Sequence, residues 1–145
     1  MSCCCSERKI VRTENGPKAI GPYSLGVQVG HLVFTAGQVG LDPATGNMVA
    51  GGLEAETRQA LENMKAILEA AGTSLANVVK TTVFLRDIND FNKMNAIYGP
   101  YFPENPPARS AIQVAALPRG AAVEIECVAL IPPKNADECC CDKKE

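Results

Sequence analysis

The chain contains no tryptophan and a single histidine, and aromatic residues make up only 5% of its 145 positions. With His31 as the one possible centre, and nothing beside it in sequence to complete it, a Ser-His-Asp or Cys-His arrangement finds no support. His31 falls between two β-rich runs and reads as a surface turn residue. No phosphate-cradling or dinucleotide-binding glycine loop follows a strand-like run. Gly37, Gly40, Gly46, Gly51 and Gly52 resemble turn formers instead. His, Asp and Glu lack the clustered spacing of a metal site, so no metal is expected. Basic excess is also missing: 14 Lys and Arg face 16 Asp and Glu, a net charge of −2, and nucleic acid is not expected as the main partner. No stretch nears the roughly 18 apolar residues that span a bilayer. The N-terminus lacks an apolar run of signal-peptide type. The expectation is a cytoplasmic protein; a mitochondrial destination would lack a clear transit peptide.

Cysteine is present but oddly placed. Cys3, Cys4 and Cys5 lie at one end, Cys139, Cys140 and Cys141 at the other, and only Cys127 lies between. Adjacent cysteines do not readily pair with each other, so this is no disulfide framework. The triplets lack C-x2-C spacing, although two tails meeting in space can bind a soft metal, and N-terminal cysteines can be acylated into a reversible membrane anchor. Apart from such an anchor no membrane contact is expected. The chain divides into a Cys-rich tail over 1–7, one domain over 8–133 and a second Cys-rich tail over 134–145. That length suits a single domain with a real core.

Within the body, Ile20-Gly21-Pro22-Tyr23 reads as a turn leading into a strand. Val27–Val29 and Leu32–Ala36 are β-rich runs broken at Gly30-His31, and residues 42–47 form a loop of turn formers. From Leu53 to Ala71 the period becomes 3.6. Thr57, Ala60, Leu61, Met64, Ile67, Leu68 and Ala71 fall on one stripe, with Glu56, Arg58, Glu62, Asn63, Lys65 and Glu69 outside it. Gly72 suits a left-handed stop. Val78–Leu85 reads as a strand with Val79, Thr81, Val83 and Leu85 on one side. Ile88–Tyr101 reads as a second helix, ended by Pro103, Pro106 and Pro107. Strands over Arg109–Ala116 and Ala122–Ile131 complete a ββ(β)αβαββ order, which predicts a two-layer α+β domain. On the last strand Val123, Ile125, Cys127, Ala129 and Ile131 share one face. Glu124, Glu126, Val128 and Leu130 share the other, so both faces are at least half apolar. Helices cover only one face of such a sheet, and a second copy of the chain is the economical cover for the other.

Chemistry concentrates in the last third. Arg109 follows a proline-rich turn and heads a strand, where its planar fork can take a carboxylate through two parallel hydrogen bonds. It can equally be a strand-end arginine or the partner of Glu124 or Glu126. Those two carboxylates share a strand face. One of them in a partly closed cleft would gain a raised pKa and could transfer protons near neutral pH, whereas a polar strip would merely keep the face soluble. Tyr23 can wall a cleft or simply pack.

Several motifs in order resemble one family. Pro107-Ala108-Arg109-Ser110-Ala111-Ile112-Gln113-Val114-Ala115-Ala116-Leu117-Pro118 followed by Val123-Glu124-Ile125-Glu126 is similar to the C-terminal signature of the RidA/YjgF/UK114 family. The likeness extends through Ala19–Ser24, Phe34–Gln38, Thr57–Asn63 and Lys80–Leu85 and covers about residues 8 to 133. The resemblance implies a chorismate-mutase-like (YjgF-type) α+β fold, a six-stranded mixed sheet with two helices on one face, assembled as a homotrimer with ligand clefts between subunits. It implies a 2-iminobutanoate/2-iminopropanoate deaminase, which hydrolyses enamine/imine intermediates from pyridoxal-phosphate-dependent dehydratases to 2-keto acids and ammonia, with no cofactor of its own. By the same resemblance Arg109 grips the substrate carboxylate and Glu124 orients the attacking water. Tyr23, Phe91 and Asn95 wall or polarise the cleft, and the backbone at Gly37 touches the ligand. Some members carry a cysteine two residues after the arginine; Ala111 stands there. The family has also been linked to RNA cleavage, translation inhibition and chaperone-like holding. The single histidine, acidic balance and few aromatics speak against the RNase reading, and no sequence feature opposes a holdase.

Overall fold

The 3.6-residue apolar period yields helix α1, Gly52–Ala70, in a computed structural model that describes residues 7–133. The cysteine triplets, and the metal-binding or acylated roles open to them, lie outside the described residues. Ala60, Leu61, Met64, Ile67 and Leu68 of α1 are fully buried against Val33, Val83, Ile125 and Ala129 of the sheet. Each such large side chain contributes about 1.5–3 kcal/mol. Gly72 follows the helix at φ 82°, the left-handed stop that the sequence predicts. Two residues expected outside the buried stripe are inside: Glu56 and Asn63 are 6% and 1% exposed. Hydrogen bonds to backbone groups at the helix–sheet boundary compensate that burial, which hydrophobic periodicity does not register.

Helix α2, Phe91–Tyr98, is flanked by single 3-10 turns at Ile88–Asp90 and Gly99–Tyr101, and the three together fill the span read as one helix. The strands are β1 Arg8–Val11, β2 Gly26–Val29, β3 Leu32–Thr35, β4 Val78–Leu85, β5 Ala108–Gln113 and β6 Val123–Leu130. They form one mixed six-stranded sheet in the order β1-β2-β3-β6-β4-β5, in which only β4 and β5 run parallel, joined by the α2 crossover. Alternation alone does not reveal β1, whose first three residues are exposed. Tyr23 lies in a bend just before β2.

Strand β5 ends at Gln113, earlier than its apolar run suggests, because its partner β4 ends at Leu85, whose carbonyl accepts the last ladder bond from the Val114 amide. Strand β4 carries a register shift between Val78 and Lys80 that turns Val78 inward and leaves Val79 41% exposed, not on the buried side with Thr81, Val83 and Leu85. On β6 the alternation holds throughout.

Both helices lie on one face of the sheet. The other face carries Ile10, Val29, Phe34, Ile112 and Leu130, each between 38% and 48% exposed. An apolar surface of this extent marks an interaction surface.

Candidate functional site

Strand β5 is an edge strand, and its pairing with β4 sets Arg109 opposite Thr81, on the helix-bearing face. There the guanidinium lies over the Tyr98 ring at 4.7 Å and the Phe91 ring at 5.3 Å, both from α2. Each such stacking is worth about 0.5–1 kcal/mol and holds the planar fork in orientation. The Tyr98 hydroxyl is in turn 2.7 Å from the Thr81 hydroxyl on β4, so the platform is fixed to the sheet. Burial pushes the Tyr98 pKa up, while the Thr81 hydrogen bond and the nearby Arg109 charge pull it down. Among the described residues no carboxylate pairs with Arg109. That removes the structural ion pair with Glu124 or Glu126.

A cavity of about 420 Å³ opens beside it, lined by Asn95, Tyr98, Phe102, Pro107 and Arg109. The Asn95 side-chain oxygen is buried there without a hydrogen-bond partner, an acceptor with nothing to accept from. Cation and aromatic floor together suit a small anion.

Glu124 lies elsewhere. It pairs with Phe84 on β4, three residues from Thr81, so alternation sends it to the face opposite Arg109. Its cavity, about 240 Å³, is lined by Tyr23, Leu25, Gly37, Gln38 and Glu124 among others. Gln38 and Ile125 exchange backbone hydrogen bonds at 2.8 and 2.9 Å, which lays the Gly37 backbone directly over the Glu124 side chain. A Cβ on Gly37 would stand 2.7 Å from the Glu124 carboxyl carbon and 2.9 Å from its Cγ. Gly37 is therefore a close-approach glycine, not a turn former, and Gly40 is another, its missing Cβ 2.6 Å from the Glu56 Cα. Burial, and secondarily the charge of Glu126, raises the Glu124 pKa above its ordinary 4.5. The Tyr23 hydroxyl accepts from the Ile20 amide at 3.2 Å, which closes the preceding turn and sets the ring at the cavity wall.

The six residues singled out by sequence thus separate into two groups. Phe91, Asn95 and Arg109 meet on one side of the sheet; Tyr23, Gly37 and Glu124 meet on the other. One chain does not bring its own Arg109 to its own Glu124.

The remaining titratable candidates are accounted for differently. His31 sits exposed in the β2–β3 turn and lines neither cavity. Cys127 faces the core, its thiol pushed up to about 12 by burial, which makes it inert at neutral pH. Ala111, two residues beyond Arg109, pairs with Val83. Sequence reasoning missed Tyr98, whose ring supports the arginine. The available signal was a helix-borne aromatic just before the proline-rich turn that leads to Arg109.

Comparison with known proteins identifies the family. Residues 13–131 match the family model described as Endoribonuclease L-PSP. The chain is 54% identical to the human 2-iminobutanoate/2-iminopropanoate deaminase over 126 residues, 87% of this chain and 92% of that protein. It is 52% identical over 122 residues to a RutC family protein of Pyrococcus horikoshii, 84% of this chain and 97% of the relative. Among solved structures, E. coli TdcF with bound serine superposes with a TM-score of 0.81 at 44% identity, covering 84% of this chain and 98% of that one. The E. coli YjgF gene product gives a TM-score of 0.81 at 47% identity, covering 86% and 99%.

Proposed function

This chain belongs to the endoribonuclease L-PSP (YjgF/RidA) family, and on that footing we propose that it is an enamine/imine deaminase acting on 2-iminobutanoate and 2-iminopropanoate. The active cleft forms between two copies of the chain in a homotrimer of chorismate-mutase-like type. One copy supplies Arg109 on its Phe91–Tyr98 platform with Asn95; its neighbour supplies Glu124 under Gly37, with Tyr23 as a wall. The observation that carries this reading is the pair of incomplete half-sites. A guanidinium without an anionic partner among the described residues and an acid with a raised pKa open from opposite faces of one sheet, each into its own cavity. The exposed apolar sheet face supports assembly, since burying it removes Phe34, Ile112 and Leu130 from water.

The chemistry asks little of the protein. Arg109 binds the substrate carboxylate and fixes the imine carbon over the acid. Ionised Glu124 takes a proton from water as its oxygen bonds to the carbon of the protonated imine, and the C=N electron pair moves to nitrogen to give a neutral carbinolamine. The proton held by Glu124 passes to the amine nitrogen, the C–N bond breaks, and the hydroxyl oxygen loses its proton as the 2-keto acid forms and ammonia leaves. Asn95 lines the same cavity as Arg109. General acid–base help of this kind supplies about 10²–10⁴-fold. The serine bound to TdcF supports a small α-amino-acid-like ligand.

The endoribonuclease description of the family finds no comparable observation here, as the one histidine lines neither half-site. The test couples the protein to a threonine dehydratase that releases the imine in the presence of a scavenging nucleophile. Addition of the protein is expected to lower the scavenged fraction, whereas an unchanged fraction overturns the reading.

A further inference from the structure

The polar stripe of α1 has no part in the reaction just described, yet it is built toward the acid half-site. Glu56 is 6% exposed, and its Oε2 accepts the Ala122 amide at 2.6 Å, a short charge-assisted bond two residues before Glu124. Among the described residues no cation pairs with it. The same residue packs on the opposite wall. Gly40, three residues after Gly37, lies so close that a Cβ there would be 2.6 Å from the Glu56 Cα and 2.8 Å from its Cβ.

Asn63, two turns further along the same helix face, donates to the Val39 carbonyl at 3.2 Å and the Leu41 carbonyl at 2.8 Å. Gln59 donates to the Asn63 side-chain oxygen at 2.9 Å, which orients the amide so that its NH2 faces the loop. Glu56, Gln59 and Asn63 therefore hold both walls of the Glu124 cavity: the start of β6 through Ala122, and the strap 37–41 through Gly40, Val39 and Leu41. Packing alone would place apolar side chains at these buried positions, since a buried carboxylate is costly unless its bonds are needed.

We propose that Glu56, supported by Asn63, is a positioning residue that sets the distance between the Gly37 backbone and the Glu124 carboxyl, and so the place of the attacking water. Arg109 and its platform are bound to other elements, which makes the two halves separable. The inference rests on the deaminase reading for its kinetic consequence but not for its geometric one.

Two variants of similar volume test it. Glu56→Met fills the space without an acceptor, and Glu56→Gln restores an acceptor oxygen. In the dehydratase-coupled assay Glu56→Met is expected to lower kcat roughly 10- to 100-fold, the cost of a misplacement on the order of 1 Å, with KM and binding of the 2-keto acid product within about threefold of wild type. Glu56→Gln is expected to recover most of that loss. Amide NMR spectra supply a readout independent of activity, in which the Ala122 and Gly37 resonances move in Glu56→Met and return in Glu56→Gln. If Glu56→Met does not assemble, Asn63→Ala, which releases the strap and leaves Ala122 bonded, decides the question by the same split between kcat and KM. Unchanged kcat, or kcat and KM lost together with no recovery in Glu56→Gln, overturns the proposal. A wild-type protein without imine hydrolysis removes the deaminase reading, and the NMR comparison then still decides the geometric claim.

Discussion

The two half-sites are held in place by opposite means. On the helix-bearing face, Arg109 is an edge-strand side chain oriented by stacking on Tyr98 and Phe91, with no ionic partner among the described residues and an unpaired Asn95 oxygen beside it. On the other face, Glu124 is fixed by backbone: the Gln38–Ile125 hydrogen bonds, the bare Cα of Gly37 and the clamp from α1. The first half offers a guanidinium to a ligand. The second keeps a titratable group in a narrow enclosure that raises its pKa. A binding anchor needs the former and a proton carrier the latter, so the contrast in construction matches the contrast in task.

Substitutions in the two halves should therefore fail in different ways. Arg109→Ala removes the anchor and is expected to lower kcat/KM by about 10³-fold or more, with sedimentation behaviour unchanged, because both affinity and orientation are lost. Glu124→Gln keeps the shape of its cavity and is expected to lower kcat roughly 10²-fold while binding of a keto-acid product analogue stays within a few fold. A defect confined to binding would make Glu124 structural and erase the contrast. Gly37→Ala sharpens it further. Its methyl group would displace the Glu124 carboxyl, so a kcat loss of about tenfold is expected, with ligand affinity at the Arg109 half largely kept.

The smallest effect concerns stability. The folded Glu124 binds its proton more tightly than the unfolded residue, so between 4.5 and its raised value the native state holds more protons. Stability should then fall slightly as pH rises through that window. Denaturant titrations of wild type and Glu124→Gln at several pH values would detect it as a difference in slope that disappears in the variant.

Much of this layout is legible in the residues, and the exceptions share a cause. The period of α1, the alternation of β6, the Gly72 stop and the likeness around Pro107–Pro118 all report local pattern, and local pattern is what a sequence carries directly. The buried Glu56 and Asn63 do not show, because their partners are backbone groups some 22 to 66 positions away. Gly37 and Gly40 look like turn residues until the side chains facing them are known. The bulge at Val79 reverses one position of a strand whose composition is uniformly β-forming. Above all, the sequence places Arg109 and Glu124 only 15 positions apart on neighbouring-looking strands. The register through β4 then turns them to opposite faces.

That separation makes the shared cleft testable by mixing. Arg109→Ala and Glu124→Gln chains, each nearly inactive alone, can be coexpressed or unfolded together and reassembled. If every active cleft takes its guanidinium from one copy and its acid from another, random assortment regenerates about a quarter of the clefts with both groups intact, and imine hydrolysis returns to about a quarter of the wild-type rate. Mixed assemblies as inactive as either parent would contradict the account.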